Sequence, residues 1–147
     1  MYKRILVGLD GSDHGITAAR AAVQLARNFD AELHLLTVTR PYRVSGELKR
    51  YLEAENLLGE PKYVLDEMTQ TIVDDGKEIA REAGLKKIRS EIREGKPARS
   101  LCDYAEQEHI DLIVVGSRGI GELEAALLGS VSQKVSMLSK CSVLIVR

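Results

Sequence analysis

Short unbroken apolar runs alternate along this chain with stretches whose apolar positions return every three or four residues, and that alternation restricts the fold more than any other feature. Ile5-Leu6-Val7 and Asp111 to Val115 (DLIVV) are runs of the kind a strand carries when both faces of its sheet are covered, and Val143-Leu144-Ile145-Val146 closes the chain as another strand. Glu32 to Thr39 (ELHLLTVT), rich in Leu, Val and Thr, reads as a further strand after the loop Asn28-Phe29-Asp30. Ile88, Ser90 and Ile92 alternate with Arg89, Glu91 and Arg93, the period-two pattern of a half-exposed strand at a sheet edge.

The intervening stretches read as helices. Ser12 or Asp13 caps the first, with Ile16, Ala19, Val23 and Ala26 inward. Leu65, Met68, Ile72, Ile79 and Ala83 mark a longer one that stops at Gly84, and Gly76 weakens it by about 1 kcal/mol relative to alanine. Pro97 opens another at a position where its missing N–H costs nothing, with Ala98, Leu101, Cys102 and Ala105 as the buried stripe. Ser130 to Ser139 forms the last, with Val131, Val135 and Leu138 inward. Arg40 to Lys62, punctuated by Pro41, Gly46, Gly59 and Pro61, is a connection around a short helical stretch carrying Leu48, Tyr51 and Leu52. Five strands and about four helices in alternation predict one α/β domain over residues 1–147, an open parallel sheet with right-handed crossovers and helices on both faces. Ligands of such sheets bind beyond the carboxyl ends of the strands, where the strand order reverses.

Charge and composition narrow the function classes. With 21 Lys+Arg against 22 Asp+Glu the net charge is -1, so no overall attraction to nucleic acid or to an anionic membrane is expected. Trp is absent and Phe29 is the only Phe, which leaves little for stacking single-stranded bases. Cys102 and Cys141 have neither zinc-site spacing nor the density of a disulfide framework, which fits a reducing cytoplasm, and Cys102 belongs to a core stripe. The apolar run before Asp10 is too short for a signal-peptide core or a membrane span. His14, His34 and His109 lie in different elements at no metal-ligand spacing, so no metal site is assigned.

Two loops sit at the carboxyl ends of strands and carry chemistry: Gly8 to Ser12, and Gly116 to Ser130 (GSRGIGELEAALLGS). Phosphate needs several backbone N–H donors in a concave arrangement, and Gly116, Gly119, Gly121 and Gly129 allow close approach and positive φ. Gly129-Ser130 directly precedes the last helix, whose first N–H groups and positive dipole end favour an anion. Ser130 and Ser132 add hydroxyl donors, and Arg118 can add a charge-assisted contact. Two familiar nucleotide signatures fail. Glu122 follows Gly121 where a P-loop needs lysine, and Glu124 occupies the third glycine of a dinucleotide fingerprint. Glycines in a loop serve tight turns as readily as they serve a ligand, so a further warrant is needed.

The spacing supplies it: Gly116, two residues, Gly119, nine residues, Gly129, Ser130. This resembles the ATP-binding signature of the universal stress protein family. The opening ILVGLDGS is similar to that family's first strand and turn, DLIVVGSRG to its fourth strand, LLGSVSQKV to its final helix and VLIVR to its last strand. The resemblance implies a Rossmann-like, adenine nucleotide alpha hydrolase-like sheet of five parallel strands in the order 3-2-1-4-5 and a cytoplasmic location. It also implies a homodimer that pairs the C-terminal strand, Ser142 to Arg147. Carried over by position, Asp10 corresponds to the acidic residue near ribose and adenine, with Gly8 and Leu9 beside it, and Val38 to an adenine contact. Val115, Gly116, Gly119, Gly129, Ser130, Val131 and Ser132 match the positions around ribose and phosphates. Two residues depart from the family's pattern: Gly8 replaces a common proline, and Ser142 stands where proline often precedes the last strand.

Three functional readings follow. In the first, ATP, accompanied by Mg2+, shifts the loops or the dimer and partners read that state, in a stress-response or regulatory module. In the second the protein is a slow ATPase or phosphoryl-transfer enzyme, which needs a group to activate or orient the nucleophile. No catalytic residue is assigned, so turnover is expected to be slow or absent. In the third, a dimeric interaction protein keeps the fold without using nucleotide.

Overall fold

The computed structural model describes residues 1–41, 46–54, 60–120 and 128–147. Its central strand, β1 (Arg4–Gly8), is the apolar run Ile5-Leu6-Val7, and all three side chains are fully buried because helices cover both faces. In chain order there follow α1 (Asp13–Phe29), β2 (Glu32–Thr39), α2 (Gly46–Ala54), α3 (Glu60–Glu82) and β3 (Ile88–Glu94). The chain continues through α4 (Pro97–Gln107), β4 (Leu112–Gly116), α5 (Ser130–Leu138) and β5 (Ser142–Val146). All strand pairs are parallel and the order is β3-β2-β1-β4-β5, as the resemblance implied.

Period-two alternation divides the core. Ile5, Val7, Leu33, Leu35, Leu112 and Val114 face α1 and α3, and Leu6, Leu36, Ile113 and Val115 face α4 and α5. On α1 the buried stripe is Gly15, Ala18, Ala19, Ala22, Val23 and Ala26, small side chains that let the helix lie close on the sheet. Ile16, expected in that stripe, is only half-buried. The helix starts at Ser12, whose hydroxyl accepts from the Gly15 N–H at 3.1 Å. It ends at Asp30 in the left-handed region at φ 52.

On α3 one expected inward residue is corrected: Met68 is 58% exposed, whereas Ile72, Ile79 and Ala83 pack against the core, and Leu65 lies outside the described side chains. The buried positions beside them are Thr69, Val73, Gly76 and Ala80. Gly76 is there for proximity: a Cβ would come within 2.5 Å of Leu9 Cδ1, so its helix-propensity cost accompanies a close helix-to-sheet contact. Gly84, with φ +82, ends the helix region, and the Leu85 N–H donates to the Ala80 carbonyl.

β3 is an edge strand, and its Arg89, Glu91 and Arg93 have partners on the face away from α3. Arg89 pairs with Glu32 at 2.6 Å, and Arg93 lies over the Tyr104 ring at 4.7 Å. Beneath them His34 is 1% exposed, and its Nδ1 lies 2.8 Å from the Tyr104 hydroxyl, tying β2 to α4. Burial holds the His34 pKa below its ordinary 6.5 against the opposing pull of Glu32. His34 is thus a core residue. Cys102 is buried in the α4 layer, where burial pushes its thiol pKa up. Among the described residues no helix is long and apolar enough to cross a membrane, and no cluster of His, Cys, Asp or Glu could hold a metal ion.

Candidate functional site

The chain leaves β1 toward β2 on one side and later returns to place β4 on the other, so the carboxyl ends of β1 and β4 flank the point where strand order reverses. A cavity of about 400 Å³ opens there. It brings together twelve of the residues singled out in the sequence. Gly8, Leu9 and Asp10 come from the end of β1, and Val38 from the end of β2. Val115, Gly116, Arg118 and Gly119 come from the end of β4, and Gly129, Ser130, Val131 and Ser132 from the start of α5. The sequence did not point to Thr37, Arg40, Thr69, Ile72, Pro97 and Leu101 as site residues; they add to the walls from β2, the residue after it, α3 and α4.

Asp10 has two roles, one per oxygen. Oδ1 accepts from the Ser12 N–H at 2.9 Å and from the Ser12 hydroxyl at 2.5 Å, which braces the turn and orients the helix cap. Oδ2 lies over Gly119, where a Cβ would come within 2.7 Å of it. Gly15 makes the same allowance on the other side, with a Cβ position 2.7 Å from Oδ1. No periodicity marks Gly15, because its purpose is to leave room for a carboxylate from another turn.

The glycines of the second loop work by proximity. Neither Gly116 nor Gly119 has positive φ, and Gly129 is extended at φ -70 and ψ 163; Gly121 lies outside the described residues. A Cβ on Gly116 would meet the backbone of His14, with its C atom at 2.7 Å and its O atom at 2.8 Å, so this glycine seats α1 against the end of β4. Ser117, which no pattern singled out, ties the loop closed. Its carbonyl accepts from the Gly129 N–H and from the Ser132 hydroxyl, its N–H donates to Val146, and its own hydroxyl lies 3.2 Å from His14 Nδ1. The Ser132 side chain, 1% exposed, is therefore committed to the carbonyls of Ser117 and Gly129, and the expected hydroxyl donor is replaced by a structural clamp. What Ser132 can offer a ligand is its backbone.

The start of α5 faces the cavity. Its first intrahelical bond runs from the Gln133 N–H to the Gly129 carbonyl, and the N–H groups before Gln133 have no acceptor within the helix. Their positive end of the helix dipole lies at one end of the cavity. At the other end the backbone of β2 is open. The Leu36 carbonyl accepts from the Leu9 N–H at 2.9 Å on the β1 side, and the Thr39 carbonyl accepts from Gly95 at 2.8 Å on the β3 side. Successive residues of a strand point these groups to opposite sides. Val38 therefore directs its N–H and C=O toward β1, beyond the last pair, Gly8 with Leu36. One donor and one acceptor, side by side and unpaired among the described residues, face the cavity.

Comparison with known proteins agrees with this geometry. The model of the universal stress protein family matches residues 1–147. The universal stress protein YxiE of Bacillus subtilis is 37% identical over 153 residues, covering 100% of both chains. Among solved structures, the universal stress protein UspA from Lactobacillus plantarum superposes with a TM-score of 0.72 at 30% identity, covering 99% of this chain and 98% of that one. A universal stress protein in complex with cAMP superposes with a TM-score of 0.71 at 31% identity, covering 99% and 97%.

Proposed function

The chain belongs to the universal stress protein family, and we propose that it binds ATP, with Mg2+ at the phosphates, and acts as a nucleotide-dependent module of a stress or regulatory response. The observation that carries this reading is the pairing of two unlike features in one cavity, the open Val38 edge and the N-terminus of α5. Adenine presents an acceptor at N1 beside a donor at N6, the complement of the Val38 N–H and C=O. Guanine presents N1–H and O6, which would set donor against donor and acceptor against acceptor. Between the two ends Asp10 Oδ2 is placed to accept from a ribose hydroxyl, and the α5 N–H groups suit phosphate. Support also comes from the relative solved with cAMP, an adenine nucleotide.

Catalysis has less to stand on. Among the described residues Asp10 is the one carboxylate lining the cavity, and its Oδ1 is held by Ser12. Slow or absent hydrolysis is the expectation. The exposed edge of β5 has a partner on one side only, β4, and carries Leu144 at 37% exposure. An apolar edge of this kind favours pairing between two copies, so the module is proposed to be a homodimer through Ser142 to Arg147, working in the reducing cytoplasm with Cys102 and Cys141 as free thiols.

Titration calorimetry is the test. ATP is expected to bind saturably, and GTP at least about tenfold more weakly, the consequence of two mismatched hydrogen bonds. No heat of binding with millimolar ATP would remove the proposal. Sedimentation equilibrium on the same sample is expected to give the dimer mass, and a monomer at high concentration would overturn the edge pairing.

A further inference from the structure

Thr37 stands between Leu36 and Val38 on β2 and belongs to the cavity wall, yet it is 3% exposed and its Oγ1 has no hydrogen-bond partner among the described residues. A buried hydroxyl left in that state is costly, and a satisfied core would put valine there. The side chain follows Leu33 and Leu35 in parity, so it sits on the α3 side of the sheet, where Thr69 and Ile72 form the adjoining wall. Rotation about χ1 exchanges the positions open to the hydroxyl and the methyl group. Because Oγ1 leaves no partner behind, turning it toward a ligand breaks no hydrogen bond.

The direction of β2 says which part of a base lies nearest. Along the strand the Val38 N–H precedes its C=O, so a base read by these two groups has N6 toward Thr39 and N1 toward Thr37. C2 and N3 follow N1 around the ring, on the Thr37 side and away from N6. The ribose is then carried toward Asp10 at the end of β1, in agreement with the position of Oδ2. N3 is an acceptor, and the Thr37 hydroxyl is the unspent donor on that side.

We propose that Thr37 is a specificity-determining residue of this cavity, its hydroxyl donating to the N3 nitrogen of a bound purine. The inference rests on the ATP reading above, and a ligand-and-protein cycle separates the two. ATP, 3-deaza-ATP and 7-deaza-ATP are titrated into the wild type, Thr37→Val and Thr37→Ser. The wild type is expected to bind 3-deaza-ATP about tenfold more weakly than ATP and to bind 7-deaza-ATP unchanged. Thr37→Val is expected to lose the same factor for ATP and nothing further for 3-deaza-ATP, and Thr37→Ser to behave as the wild type. Thr37→Val is also expected to melt no lower than the wild type, since it removes an unpartnered buried hydroxyl at nearly constant volume. Unchanged ATP affinity in Thr37→Val, or an equal loss for ATP and 3-deaza-ATP, would overturn the assignment while leaving ATP binding intact. Failure of the wild type to bind ATP would remove the underlying reading instead.

Discussion

Replacing Ser130 by aspartate is expected to weaken ATP binding by more than about a hundredfold while leaving the fold as stable as before or slightly more so. Ser130 is the first residue of α5, exposed and part of the cavity wall. An acidic side chain in the first turn complements the helix dipole and contributes about 0.3–1 kcal/mol to stability. The same charge would lie against the phosphates of the ligand. Two like unit charges about 4 Å apart repel by about 4 kcal/mol at the effective dielectric of a protein surface, which exceeds the energy of a hundredfold change. Thermal melting and calorimetry should therefore move in opposite directions. Adenosine, which has no phosphate, serves as the control and is expected to bind the variant and the wild type alike. An equal loss for adenosine would place the damage in the shape of the cavity, and the phosphate assignment would fall.

Gly116→Ala is expected to act on the fold itself, lowering stability by about 3 kcal/mol and the melting temperature by roughly 6–12 °C. The new methyl group would meet the backbone of His14, with an atom at 2.7 Å, and backbone cannot swing aside as the end of a long side chain can. Relief requires the start of α1 to move. That turn contains Ser12 and, through it, the brace on Asp10, so ATP affinity should fall with stability. Gly46→Ala is the natural comparison, because a Cβ there meets nothing within 4 Å among the described residues and the change is expected to be neutral or mildly stabilising. Equal melting temperatures for Gly116→Ala and the wild type would show that α1 and β4 are not packed as described.

These expectations also mark what a linear reading of the chain can reach. The central strands were legible because Ile5-Leu6-Val7 and Leu112 to Val115 are covered on both faces, and continuous burial leaves a continuous apolar run. β3 was legible as an edge for the opposite reason. On α3 Ile72, Ile79 and Ala83 were legible, but Thr69 and Gly76 occupy buried positions that no apolar pattern records, and Met68 is apolar and exposed. At the site, the two-nine glycine spacing drew attention to this loop but did not reveal that Gly116 seats α1. Close approach to His14, over a hundred positions away in sequence, has no local signature. The hydroxyl of Ser132 was likewise assigned to a ligand because nothing in the sequence shows that the Ser117 carbonyl lies beneath it.

The bond from the Gly129 N–H to the Ser117 carbonyl makes the connection between β4 and α5 a closed ring, knotted at its base by the Ser132 hydroxyl. The groups that seat α5 lie at that knot, so the end of β4 and the start of α5 are held as one piece. Any shift of β4 is therefore carried directly to the helix end that faces the cavity.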